Sequence, residues 1–251
     1  MLRRRFYQSY KLPINNGVYA VRQDGRLIPL SRADNSCISV AIIYDGHKIM
    51  IEKNEDSNQS YKTATSDLPD SPNKTYSFYY GGYGTDQTGI TNYDKVDGSN
   101  DFGFLKPEQD SYKGTPYLPD DVSSWTNGAL SDWKGKANSE VLKRITTGGD
   151  SYTSYATAGR VLNTFLASAD AKGYDDWYIP SCGELSLIYM HLTSVNNALS
   201  AIGGQQLTKD YYLSSSEYDS ENFWIVLFNN GRVFKRPKRL GCRVRFVRKI
   251  E

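Results

Sequence analysis

The sequence predicts an α+β protein, with antiparallel β structure at both ends and helices between them. Three observations predict it. Apolar residues flank Asp24-Gly25, Asp45-Gly46 and Asn230-Gly231, dipeptides that tolerate the positive φ of a hairpin turn. Ala158, Val161, Leu162, Phe165 and Leu166 recur at the spacing of one helix face. Ser181-Cys182-Gly183-Glu184 has the form of a capping box, in which Ser and Glu satisfy open N–H groups at a helix start.

Residues 1–16 are basic and end in Pro13-Ile14-Asn15-Asn16, which reads as a tether. Residues 17–53 read as two hairpins with two-residue turns, a region suited to attachment or oligomerisation. From 54 to 149 periodicity fails, and Gly, Asp, Ser and Tyr dominate, as in Tyr79-Tyr80-Gly81-Gly82-Tyr83-Gly84. Trp125, Trp133 and the tyrosines argue for packed irregular loops there, with one short helix near 139–145. After the helix of Ala158 to Leu166, Trp177-Tyr178-Ile179 reads as a strand stopped by Pro180. Leu185, Ile188, Tyr189 and Leu192 give the capped helix its buried face. A third helix carries Val195, Leu199 and Ile202 and ends at Gly203-Gly204. Residues 222–228 and 232–236 form the last hairpin, and 243–248 a closing strand. No internal repeat is present, which disfavours solenoids and propellers.

The 251 residues are 39% hydrophobic and 23% charged, as in soluble globular proteins. Twenty Tyr, nine Phe and four Trp among 21 Gly suit a loop-rich fold, and equally a binding surface. The net charge of +2 is unevenly spread: 54–133 holds thirteen acids and five bases, whereas 232–249 holds nine bases and no acid. Such a basic end either pairs within the molecule or draws an anionic partner. Cys37, Cys182 and Cys242 are too scattered for a disulfide framework or a zinc site and read as reduced thiols. No apolar stretch is long enough to cross a membrane, and Met1-Leu2-Arg3-Arg4-Arg5-Phe6 is not followed by the apolar core of a secretion signal. The chain is expected to be made in a cytoplasm.

Four segments form an ordered series: Asp176-Trp177-Tyr178-Ile179-Pro180-Ser181-Cys182-Gly183-Glu184-Leu185, Tyr211-Tyr212-Leu213-Ser214-Ser215-Ser216-Glu217-Tyr218, Phe228-Asn229-Asn230-Gly231 and Arg243-Val244-Arg245-Phe246-Val247-Arg248. The series resembles the C-type-lectin-like proteins of gut Bacteroidales and their phages, a group related to the formylglycine-generating-enzyme type of lectin fold. Met1-Leu2-Arg3-Arg4-Arg5, Ala33-Asp34-Asn35-Ser36-Cys37 and Ala129-Leu130-Ser131-Asp132-Trp133 extend the resemblance upstream. It implies a C-type-lectin-like domain over 54–251: a small twisted antiparallel sheet, two main helices, long loops and a C-terminal binding face. It further implies a virion-associated adhesin, of the tail-fibre, head-fibre or decoration type, in a group that includes variable proteins of diversity-generating retroelements. The expected partners are a bacterial surface glycan or protein, other virion subunits through the N-terminal region, and further copies of the chain, plausibly as a trimer. Membrane is not an expected partner, and no nucleic-acid-binding module is recognisable.

The hairpin can also be read by strand parity. With Asn230-Gly231 as a two-residue turn, Leu227 opposes Phe234 and Ile225 opposes Arg236. Trp224, Val226, Phe228 and Val233 then face the core, while Ile225, Leu227, Arg232, Phe234 and Arg236 face the other way. That second face is either a contact surface rich in apolar groups and Arg, or a second buried or oligomeric face. The expected ligand-binding set is Tyr212, Leu213, Asn222, Phe223, Ile225, Leu227, Arg232, Phe234, Arg236 and Arg239. No catalytic residue, metal ligand or cofactor is assigned. The Glu-Pro-Asn, Gln-Pro-Asp and Trp-Asn-Asp motifs of calcium-dependent lectins do not occur, and dispersed loop Asp residues read as solvated charge. The copper oxidase sharing the implied fold needs a close Cys pair; Cys182 and Cys242 read instead as buried structural thiols. His47 and His191 are the only histidines and have no ligand-spaced partners.

Overall fold

The computed structural model describes residues 15–54, 78–96, 122–145 and 157–250. Residues 1–14, most of the segment expected to be a tether, and much of the 54–149 region lie outside these. Strands β1 (Gly17–Val21), β2 (Leu27–Ile28), β3 (Ser39–Tyr44) and β4 (His47–Glu52) open the fold. Helices α1 (Gly135–Leu142), α2 (Ala158–Leu166), α3 (Cys182–Met190) and α4 (Leu192–Ala201) follow. Strands β5 (Tyr211–Glu217), β6 (Asn222–Leu227), β7 (Arg232–Pro237) and β8 (Val247–Lys249) close it. The α+β class is therefore observed, with antiparallel pairing in both sheets.

One sheet has the order β2-β1-β3-β4-β8 and the other β5-β6-β7. The N-terminal hairpins thus share a sheet with the last strand. The segment leading to β8 stitches the sheets together. Cys242 bridges Phe78, Arg243 bridges Tyr212 on β5, and Val247 bridges Tyr178. The expected strand at 177–179 is reduced to that single bridge, because the Ser139 hydroxyl takes the Ile179 N–H at 2.8 Å in place of a ladder partner. The closing strand is likewise shorter and later than 243–248.

Turn chemistry separates the three hairpins. Asp45 and Gly46 both adopt positive φ, 47° and 79°, between the paired Tyr44 and His47, which makes the expected two-residue turn. At Asp24-Gly25 the Arg22 N–H donates to Arg26 O at 3.0 Å, so the loop has three residues, with Gly25 at φ 81°. The third hairpin corrects the expected register. Leu227 pairs with Arg232, Ile225 with Phe234 and Phe223 with Arg236. Its loop is Phe228-Asn229-Asn230-Gly231, closed by Gly231 N–H donating to Leu227 O at 2.7 Å. Phe228 is drawn out of the ladder because its ring is buried against Tyr212 and Tyr189, with centroids 4.4 and 5.7 Å away. The slip is two residues, the strand period, so every side chain keeps its expected face.

Both sheets are buried on both faces. Val40, Ile42, Ile49, Ile51, Trp224, Val226, Phe228 and Val233 join a core built on α3 and α4. Ala41, Met50, Leu213, Phe223 and Ile225 join a second core with α2, Phe78, Tyr80 and Phe246. Helix α2 forms on its expected face, with the Thr157 hydroxyl capping the N–H of Arg160 at 3.3 Å. Helix α1 starts four residues ahead of its expected start. Gly159 lets α2 rest on the end of α1, since a Cβ there would lie 1.9 Å from the Leu142 carbonyl oxygen. Gly159→Ala should cost about 1–3 kcal/mol through overpacking and lower the urea midpoint measurably; an unchanged midpoint would show that the helix pair gives way freely.

Candidate functional site

The ten residues expected to bind ligand divide into two groups. Tyr212, Leu213, Phe223 and Ile225 are sealed inside the monomer, each at most 1% exposed, and are removed from the contact surface. The second core covers the β5–β6 face that parity alone left open and takes Leu213, Phe223 and Ile225, while Tyr212 points the other way into the first core. Leu227, Arg232, Phe234 and Arg236 are half-buried, Asn222 is half-buried, and Arg239 is exposed. The Asn222 amide donates to Asp219 at 2.9 Å, so it braces the β5–β6 turn.

What remains is a strip along β7, at the edge of its sheet. Arg232 lies over the Phe234 ring at 4.9 Å, and Arg236 over the Tyr211 ring at 4.6 Å. Tyr211 and Phe234 meet edge to face at 6.0 Å. The two arginines therefore flank the ring pair as one layer. Tyr211 was not in the expected set, although its pairing with Leu227 puts it beside Phe234. On the other side of β7, Lys235 sits 4.2 Å from the Tyr218 ring, and beyond the strand Arg239 sits 5.0 Å from Tyr83. A guanidinium face seated on a ring contributes about 0.5–1 kcal/mol where exposed. Arg236 Nη2 donates to Gly241 O at 3.4 Å, and its buried Nε has no hydrogen-bond partner among the described residues.

The rest of the basic run is consumed internally. Arg243 pairs with Asp210 at 3.0 Å, and Arg248 grips Asp176 through two bonds of 2.7 and 2.9 Å. Arg245, 1% exposed, donates to the carbonyls of Glu52 and Gln205 at 3.0 Å. Lys238 and Glu217 form a fully buried ion pair, and Lys238 also donates to Thr85 O at 2.8 Å. Burial pushes the Glu217 carboxyl up, while Lys238 pulls it down. Gln87 N–H donates to the same carboxylate at 3.1 Å, so this pair pins the 80–93 loop, and Tyr83 with it, beside the β7 strip.

A second polar cluster lies under α3. Asp132, 1% exposed, accepts from the Ser216 hydroxyl at 2.6 Å, the Asn138 amide at 2.9 Å and the Lys134 N–H at 2.9 Å. Ser216 in turn accepts the Cys182 N–H at 2.9 Å, and the Ser181 hydroxyl donates to Asp132 O at 2.6 Å. The predicted capping box is made, with Glu184 accepting the Ser181 N–H at 2.9 Å and the Tyr178 hydroxyl at 2.9 Å. Burial pushes the Glu184 carboxyl up to about 7 against the pull of these donors. Both carboxyl groups of this cluster are engaged by donors of the fold itself. Cys182 belongs to the first core and Cys242 to the second, and burial raises the Cys182 thiol. Two clefts, of about 370 and 330 Å³, are lined by His47, Trp133 and Lys249, and by Asn35, Lys53 and Trp177; neither includes β6 or β7 residues.

Two outcomes follow from these buried charges. Lys238→Met strands the Glu217 carboxylate and should cost about 3–5 kcal/mol in urea unfolding; adding Glu217→Leu should recover most of it. Because folding raises the Glu184 carboxyl from 4.5 to about 7, the folded state holds a proton there that the unfolded chain has released. Stability from this group is thus fully present at low pH and falls as pH rises through that window. The urea midpoint of wild type relative to Glu184→Gln should decline between about pH 5 and about pH 8; parallel profiles would contradict it.

Comparison with known proteins adds the following. No curated protein matches the chain. Among solved structures, a fimbrial protein from Bacteroides ovatus superposes with a TM-score of 0.48 at 14% identity, over 94% of this chain and 49% of that one. The chain therefore spans about half the length of that protein. Residues 125–248, which hold all four α-helices of the described residues and the whole of β7, match the model of the Lcl C-terminal domain and are similar to that family.

Proposed function

We propose that the chain is a non-enzymatic recognition module of adhesin type, with a C-type-lectin-like domain that meets its ligand through the β7 strip. The observation that carries this reading is the layer of Arg232, Phe234, Tyr211 and Arg236, with Arg239 on Tyr83 beside it. Arginine and aromatic groups held against one another lose little freedom on binding, which is why they dominate binding hot spots. Among the described residues no strand pairs with the outer edge of β7, and such an edge suits a polymer or a protein surface better than a small molecule. Its charge favours a glycan or protein with anionic groups. The similarity of residues 125–248 to the Lcl C-terminal domain is consistent with this assignment. In the proposed setting the module is displayed on a phage virion and contacts a Bacteroidales surface, with the N-terminal region attaching to other virion subunits and copies of the chain associating as oligomers. No bond-making chemistry and no cofactor enter the proposal.

Replacing Phe234 and Arg236 together by Ala should lower binding to Bacteroidales cells, read by flow cytometry, by about tenfold or more. Helix and sheet content by circular dichroism should be retained. Arg239→Ala, which touches neither core, should give a smaller loss in the same assay. Undiminished binding by both variants would remove the β7 strip from the function.

A further inference from the structure

Asn-Gly occurs three times in the chain, at Asn16-Gly17, Asn127-Gly128 and Asn230-Gly231. The dipeptide is chemically labile wherever the glycine amide nitrogen can reach the asparagine Cγ, because no glycine Cβ obstructs the approach. The fold gives the three copies different surroundings.

At the hairpin tip both reacting groups are restrained. Gly231 N–H donates to Leu227 O at 2.7 Å, and Asn230 Oδ1 accepts the Arg232 N–H at 3.1 Å. Gly231 is also wedged against Tyr189, whose ring would lie 2.1 Å from an added Cβ. At the start of β1, Asn16 Oδ1 accepts the Asp45 N–H at 3.3 Å, and Gly17 pairs with Ile43. Asn127 differs from both. It is exposed, and its amide donates at 3.2 Å only to the adjacent exposed Thr126 hydroxyl. Gly128 stands at φ 64° and ψ −162°, its carbonyl held by Ser131. Its N–H has no hydrogen bond among the described residues.

We infer that Asn127 is a site of spontaneous deamidation and that the fold protects Asn230. The Gly128 nitrogen gives its proton to hydroxide and attacks Asn127 Cγ. The N–Cγ bond forms, Nδ2 takes a proton from water, the Cγ–Nδ2 bond breaks and ammonia leaves, closing a five-membered imide and regenerating hydroxide. Water then opens either imide carbonyl, leaving aspartate or isoaspartate and one added negative charge. The position matters to the fold. Ala129 and Leu130 N–H groups, immediately downstream, anchor on Lys95 O and Val96 O at 2.8 and 3.0 Å, and lead into the Asp132 cluster. The isoaspartyl product lengthens the backbone directly ahead of that anchor.

The test uses the full chain aged in mildly alkaline buffer, digested, and followed by mass spectrometry of the two Asn-Gly peptides and by isoaspartate detection. In the folded protein the Asn127 peptide should convert at least about tenfold faster than the Asn230 peptide, since the tip must break two hydrogen bonds to react. In concentrated urea the two rates should converge. Asn127→Gln should remove the acidic band that ageing produces on isoelectric focusing. Equal rates in the folded protein, or a difference that persists in urea, would overturn the inference.

Discussion

Asp132 and Glu184 have almost no contact with water, and a buried carboxyl group must find donors within the protein or lose its charge. Their donors come from segments far apart in sequence: Lys134 and Asn138 at α1, Tyr178 and Ser181 ahead of α3, and Ser216 on β5. Each bond fixes one segment against another. Two glycines permit the approach. A Cβ at Gly135 would lie 2.1 Å from the Glu184 carboxylate, and one at Gly183 would lie 2.5 Å from Leu130 O. The capping box, a local device for starting a helix, is here also a tertiary clamp. The placement of α1, α3 and β5, and hence of the β5–β6–β7 sheet, follows from it.

With that sheet fixed, the two cores decide what it can offer. One lies on each face, so most of the large side chains on β5 and β6 are consumed by packing. Only toward β7 does the second core thin out, and there Phe234 and Tyr211 pass from buried to half-buried. The arginines sit where the apolar layer ends. Their stems and planar faces continue the packing while their N–H edges remain polar. The β7 strip is thus an extension of the core, and its rings are held by the same contacts that stabilise the monomer.

The charge distribution follows the same logic. A run of nine bases without an acid would repel itself if all were exposed. The fold answers with Asp176, Asp210 and Glu217, which lie outside the acidic 54–133 stretch. Lys235, Arg236 and Arg239, on or just beyond β7, rest on tyrosine rings, as does Lys238, which Glu217 neutralises. Aromatic seating holds a cation in place without neutralising it, so the positive potential of the run is concentrated along one edge.

Periodicity, turn dipeptides and the capping box are local signals, and by themselves they determined the class, the helices α2 to α4, and which side chains of the last hairpin share a face. Parity survived even a wrong register at Asn230-Gly231, because the slip equals the strand repeat. Only the tertiary structure decided that the hairpin's second face is mostly core, which removes Ile225, Phe223 and Leu213, that Tyr212 lies in the opposite core, and that Tyr211 packs edge to face on Phe234. It also reduced the strand at 177–179 to one bridge and moved α1, because Ser139 and Gly135 answer to Ile179 and Glu184, partners some forty and fifty positions away. Alternation tells which residues point together. What lies opposite them depends on segments such as Phe78-Tyr79-Tyr80 and the 242–247 stretch, whose irregular backbones carry no periodic signal to announce where they pack.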